Sequence, residues 1–505
     1  MKEEGIENKE VLAMYNIRGI QNYIFKTNAA KEIIGASVLV KRVLADGFQE
    51  YIQVLEEAER KYYMTEWTKD DSNAFLNNPS VKMQIIYVGG GNTYVLFRDR
   101  EVCKRVNRFL ARYVLEKTYS LSLAVAVVAK TESYSEDYKN INLEMGRIKA
   151  RMPLSMPMGA MPFMAVDSVT GYPLTYKENG EYFTTETKLK RKAFPKQEDE
   201  KIFDNMVTEK GDSSTLAVFH IDGNSMGKRI KDAMQDIRDY GEAIQRMREI
   251  SSEISRTYLA TANRMKEQME KLSLLIKKDA RHKLYREIIL AGDDITFVCN
   301  AKLAIPAVEY FLQHIGDEGD FSACGGIAFF NSHFPFSEAY QVAEACCSNA
   351  KKRAKEKDNR GVQGKIGNFL DFQICTNIRA AKLEIYRERH YSMTKDELFI
   401  ARPYYIPVNG DSFQRDEKNA RYSIEKLKKW MKEFCEMPTS KDKEVGMPRN
   451  KAKRLRDAIP MGENAIKEEI AFLKSRGYEQ FEHTEEEYKI WYDALEIMDW
   501  YLEEE

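Results

Sequence analysis

A chain of 505 residues is too long for one ordinary core, and the length favours about two to four domains. Its 43% hydrophobic and 31% charged residues mark a soluble globular protein; no run nears the roughly 18 apolar residues of a membrane helix, and the charged start MKEEGIENKE excludes a secretory or transit signal, so a cytoplasmic location is expected. Lys plus Arg (78) and Asp plus Glu (79) nearly cancel, which excludes a generic polyanion binder, and the 7 scattered cysteines form no C-x-x-C pair, which excludes a disulfide framework or zinc ribbon.

In chain order, residues 11–17 (VLAMYNI) predict a strand, and a helical pattern follows from about 26 to 55. Residues 84–88 and 93–97 are apolar runs hinged by GGGN at 89–92, which reads as a β-hairpin. A helix over 101–116, a strand over 121–128 and a helix over 136–150 complete the order βαββαβ with an added helix. The proline- and methionine-rich MPLSMPMGAMPFM at 152–164 cannot hold a regular helix and reads as an ordered linker.

The same order then returns. A strand over 215–221, a helical region to about 274, a strand over 287–290, the turn AGDD at 291–294, a strand over 295–299, a helix over 306–315, a strand over 323–329 and a helix over 337–357 make a second copy. Aligned on the two hairpin turns, Gly89, Gly90, Gly91 and Asn92 correspond to Ala291, Gly292, Asp293 and Asp294, and Asn16 corresponds to Asp222. Only the second copy keeps acids, so the first is expected to bind no catalytic metal.

The fold class expected is α+β: two ferredoxin-like (βαββαβ) palm domains followed by a helical domain. The boundaries read are 1–150 for a degenerate first palm, 151–210 for a linker region without zinc ligands, 211–383 for a catalytic second palm and 384–505 for the helical domain. Within the last, Ile424, Leu427, Trp430, Met431 and Phe434, and then Ile490, Trp491, Leu495 and Met498, recur at helix spacing and read as core. Thr484 and Glu487 make a capping box for the final helix. Basic clusters at 188–196, 351–357 and 449–456 are explained equally by solvated faces and by phosphate contacts.

Nucleotidyl transfer needs carboxylates that hold Mg²⁺ or Mn²⁺ against a triphosphate. A strand ending in Asp222 beside a hairpin tip bearing Asp293 and Asp294 supplies them, and the backbone carbonyl of Ile221 would add a hard oxygen ligand. In such a two-metal site one ion activates a ribose 3′-hydroxyl and the other neutralises pyrophosphate. Gly223, Asn224 and Ser225 lead into a helix where a triphosphate could sit, although Asn224 and Ser225 are equally well N-caps. Gly292 allows a tight turn, and Lys351 either reaches a phosphate or is a surface lysine.

These residues resemble the large polymerase-like subunit of type III CRISPR effector complexes, a relative of GGDEF cyclases. The resemblance is carried by NIRGIQNYIF (16–25), IIGAS (33–37) and YVGGGN (87–92) in the first copy and by HIDGNSMGK (220–228) and LAGDDITFV (290–298) in the second. CGGIAFF (324–330), FPFSEAYQVAEACCSNAKK (334–352), RPYYIP (402–407) and MPRNKAKRLRDAI (447–459) extend it over nearly the whole chain. It implies polymerisation and cyclisation of ATP into cyclic oligoadenylate signals for antiviral defence, with Mg²⁺ or Mn²⁺ on Asp222, Asp293 and Asp294. It also implies CRISPR RNA and target RNA as partners, and small protein subunits against the helical domain. The variant implied lacks the HD nuclease and the inter-palm zinc ribbon, and Ala291 stands where the family usually has glycine. Competing readings are an RNA- and protein-binding scaffold, and a stand-alone cyclic di- or mononucleotide cyclase.

Overall fold

The computed structural model describes residues 10–89, 91–152, 160–196, 202–208, 214–235, 237–277, 282–356, 366–375, 383–394, 397–408, 417–436, 447–478, 481 and 487–502. Gly90 of the first turn, residues 153–159 of the linker, Lys357 and the capping residue Thr484 lie outside the described residues. The fold is α+β. Contacts divide the chain into two compact units: 1–201 with 225–258 and 288–293, and 202–224 with 259–287 and 294–505.

The first unit holds β1 (Val11–Arg18), β2 (Tyr63–Met64), β3 (Met83–Gly89), β4 (Asn92–Phe97) and β5 (Ser122–Ala129) in one sheet of order β2-β3-β4-β1-β5. β4 and β5 both run antiparallel to β1, which is the ferredoxin-like order with one short added edge strand. Apolar alternation places Tyr15, Val95 and Phe97 in a core with Phe48 of helix Ala30–Gln53 and Leu110 of helix Arg100–Thr118. The helix expected over 26–55 is Ala30–Gln53, and a short helix, Ile20–Phe25, precedes it. The linker region forms a two-stranded ribbon, β6 (Leu174–Glu178) and β7 (Glu181–Thr184), before the helix Thr185–Ala193.

The second palm repeats the order with β8 (Thr215–Gly223), β9 (Tyr285–Ala291), β10 (Asp294–Asn300) and β11 (Ala323–Asn331). Two additions escaped the sequence reading. β12 (Asn368–Cys375) runs parallel to β11, and, after the small ribbon β13 (Ser392–Thr394) and β14 (Glu397–Leu398), β15 (Tyr404–Ile406) pairs with β12 as the edge. The sheet order is β15-β12-β11-β8-β10-β9. The helix expected to start at Pro306 starts at Ala301, because Asn300 caps it by accepting from the Lys302 amide, and Pro306 lies inside it. Helices from Glu417 to Ile497 follow, and Trp430, Phe434, Phe481 and Trp491 interlock as their core.

The pair Gly325–Gly326 in β11 decides how closely helices approach this sheet. Successive strand residues face opposite sides. A Cβ on Gly325 would meet Val308 of helix Ala301–His314, whereas one on Gly326 would lie 2.1 Å from the Ala343 carbonyl oxygen and 2.2 Å from the Cys347 amide nitrogen of helix Phe336–Ala354. The second helix therefore packs backbone to backbone on the face that Gly326 shares with its register partner His220. Gly326→Ala should cost about 2 kcal/mol, because two backbone atoms, not a flexible side chain, must yield. An unchanged urea midpoint would contradict this packing account.

A buried polar chain ties the same helix to β12, where Asp371 is the register partner of Gly326. Asn349 donates to Asp371 of β12 at 2.7 Å, and Arg387 grips both Asp371 oxygens at 2.9 and 3.0 Å. Arg387 also donates to Gln373, whose amide donates to the Tyr391 hydroxyl.

Candidate active site

The β8–β10 register pairs Asp222 directly with Asp294, and the β8–β11 register pairs Asp222 with Cys324. Directly opposed antiparallel residues bring their Cβ atoms to about 5 Å, and like charges there repel. The counter-charge is Lys351, late on helix Phe336–Ala354, whose Nζ lies 2.6 Å from Asp222 Oδ2 and donates to the Gly223 carbonyl at 2.8 Å. Gly326 makes this reach possible by letting the helix down onto the sheet.

His220 lies two residues before Asp222, hence on the same face, and its Nδ1 lies 3.2 Å from Thr296 Oγ1 and 3.5 Å from Asp294 Oδ1. Tyr340 stands edge-on to its ring. Burial pushes the imidazole pKa down to about 4, against the opposing pull of Asp222, so His220 is neutral near pH 7 and its contact with Asp294 is no ion pair. Sequence reading missed His220 and Thr296, although the period of two along β8 and β10 puts both on the face of the acids.

Residues 215–360 match the model of the Cas10/Cmr2 family's second palm domain. This segment is similar to a Cas10/Cmr2-type palm. Solved structures of a Csm1–Csm4 cassette are similar in outline: the complex with pppApA has a TM-score of 0.47 at 11% identity over 98% of this chain and 70% of that one. The complex with cA4 gives 0.45, again at 11%, 98% and 70%, and Csm1 in T. onnurineus gives 0.41 at 11% over 76% and 57%. No curated protein matches the chain.

Within the Cas10/Cmr2-type palm the other expected site residues take distinct places. Ile221 is mid-strand, paired with Ile295 and Gly325, and its side chain is on the face opposite the acids. The Gly223 carbonyl accepts from Lys351, whose Nζ also lies against Asp222 Oδ2. Asn224 is buried and tied elsewhere, donating from its side chain to Ser322 Oγ and the Gly367 carbonyl, so it anchors the end of β8. Ser225 is the N-cap of helix Met226–Met234, with left-handed backbone and no side-chain cap bond. Gly292 has φ +64°, the conformation a two-residue hairpin asks of its first turn residue. Ala291 is the last residue of β9 and is not among the positive-φ residues, so its methyl carries no conformational penalty. Asp293 follows Gly292 in the turn.

Among the described residues no group of three or more His, Cys, Asp or Glu side chains forms a ready-made metal cage. Mg²⁺ usually takes one or two carboxylates and completes its shell with water and substrate phosphates. Two opposed carboxylates with a backbone carbonyl nearby fit such an ion.

The first copy has the same register with different chemistry. Asn16 pairs with Asn92, and the Asn16 amide donates to Asn92 Oδ1 at 3.0 Å and to the Gly91 carbonyl at 3.1 Å. Two neutral amides satisfy each other, whereas two carboxylates need a cation.

The basic clusters are largely spent within the fold. Lys190 is buried against Glu186 and the Tyr23 carbonyl, and Arg191 pairs with Glu32 and Glu181. Lys352 pairs with Glu384, Arg449 with Asp499 and Arg454 with Glu469. No helix among the described residues is long and apolar enough to cross a membrane.

Proposed function

We propose that this chain is a metal-dependent nucleotidyltransferase that polymerises and cyclises ATP into cyclic oligoadenylate, working within a type III CRISPR RNA-guided complex in the cytoplasm. The observation that carries this reading is the register that opposes Asp222 to Asp294 beside the Gly223 carbonyl and Lys351, inside a Cas10/Cmr2-type palm. Mg²⁺ or Mn²⁺, when bound, would supply activation of a ribose 3′-hydroxyl and charge neutralisation at the leaving pyrophosphate.

Asp222, Asp293 and Asp294 would hold the ions, with the backbone carbonyl of Ile221 as a further oxygen ligand and the Gly223 carbonyl held nearby through Lys351. Lys351, already fixed near Asp222, is positioned to turn its ammonium to a triphosphate oxygen. His220 and Thr296 would orient Asp294 from beneath. Guide RNA, target RNA and small protein subunits are the partners this function requires.

The deciding experiment incubates the purified chain with ATP and Mn²⁺, alone and with guide and target RNA, and identifies products by mass spectrometry. The expected result is pyrophosphate release with oligoadenylate, linear or cyclic. Intact ATP under every condition would refute the proposal, and a cyclic mono- or dinucleotide as sole product would replace it.

A further inference from the structure

The rings of Tyr386, His390, Tyr391 and Tyr492 line a cavity of about 350 Å³ with Ile374, Glu496 and Arg456, and no residue of the acid site contributes to it. Such a volume lies within the range of small-ligand sites, roughly 300 Å³ upward. Tyr391 meets Tyr386 at 65° and Tyr492 at 76°, so the rings are crossed walls and not one stack. Tyr492 and Glu496 are one turn apart on helix Glu487–Ile497 and share a face of it.

The sheltered charge behind these walls is negative. Asp493 and Glu496 share one guanidinium: Arg402 Nη1 lies 2.8 Å from Glu496 Oε2 and 3.4 Å from Asp493 Oδ1. Arg387, the other buried guanidinium of this region, is held by Asp371. Burial pushes the Asp493 pKa up to about 6 against the pull of Arg402, so this carboxyl is charged at pH 8. Two carboxylates therefore stand against one cation.

Arg456 does not reverse that balance. It is paired with Asp457 at 3.6 Å, and the two side chains are 38% and 52% exposed, so solvent screens both. The Glu496 side chain is only 10% exposed, and its field acts through a less polar medium. Glu496 accepts from the Tyr391 hydroxyl and from Arg402, which leaves lone pairs for a further donor. One face of Tyr391 already takes the Arg402 guanidinium, 5.1 Å from the ring centroid. Tyr492, beside Glu496 on the same helix face, is therefore the ring on which a second cation would depend most.

We infer that this cavity is a site for a small organic cation, the ammonium head of an aliphatic amine. The tyrosine rings surround the charge as an aromatic cage does, and Glu496 accepts its N–H.

The test titrates the full chain at pH 8 and constant ionic strength with n-butylammonium chloride, read by saturation-transfer NMR, with n-butanol as the neutral probe of the same shape. The ammonium should bind and the alcohol should not. Glu496→Gln should weaken binding about tenfold or more, Tyr492→Ala several-fold, and Tyr492→Phe little, because the ring remains. Arg456→Gln should leave binding unchanged or tighten it, since it removes a repelling charge. Asp222→Ala with Asp294→Ala should have no effect, which separates this site from the proposed catalytic one. If Glu496→Gln fails to fold, the Tyr492 variants and Arg456→Gln still decide the matter. The inference is overturned if the ammonium does not bind, if n-butanol binds as well, if binding survives a folded Glu496→Gln or Tyr492→Ala, or if Arg456→Gln weakens it.

Discussion

Replacing Asp293 and Asp294 together by alanine should abolish nucleotide polymerisation while leaving the chain folded. Asp294 heads β10 directly across from Asp222, so its loss removes one of two opposed carboxylates, and Asp293 supplies the adjoining one. Without them an ion has only Asp222 and a carbonyl, and the rate should fall on the order of a thousandfold or more. Stability should hold or rise slightly, because the change relieves repulsion across the β8–β10 pair and leaves Gly292 to make the turn. Product yield by mass spectrometry and a urea melt of the same preparation would check both halves. Undiminished synthesis would sink the assignment of these residues.

The second large effect concerns folding. Asp371→Ala should destabilise the second unit by about 3–5 kcal/mol, because it strands a buried guanidinium. Asp371 is fully buried and accepts from Arg387, Asn349 and the Phe372 amide, so its removal leaves Arg387, among the described residues, with Gln373 and the Phe372 carbonyl as oxygen partners. Arg387→Met in the same chain should recover a good part of the loss, since an apolar pair avoids the uncompensated charge. Chemical denaturation of the single and double variants measures both terms. A loss below about 1 kcal/mol for Asp371→Ala would show that water reaches the guanidinium.

The sequence alone determined the duplication, the strand–helix order of each palm and the identity of the acids. These features are local: side-chain alternation marks a strand, a glycine-led two-residue turn sets its hairpin register, and Asp293 and Asp294 are covalent neighbours. The asparagines of the first copy were legible for the same reason. Tertiary structure decided what depends on contacts between distant segments. β12 and β15 join the sheet through partners remote in sequence, and a parallel or edge pairing leaves no turn signal to read. Lys351 reaches Asp222 only because Gly326 admits a helix against the strand backbone, an approach set by packing and invisible to periodicity. The neutrality of His220 and the aromatic cavity around Arg456 arise from burial and compensation by groups far away in the chain, which no local pattern encodes.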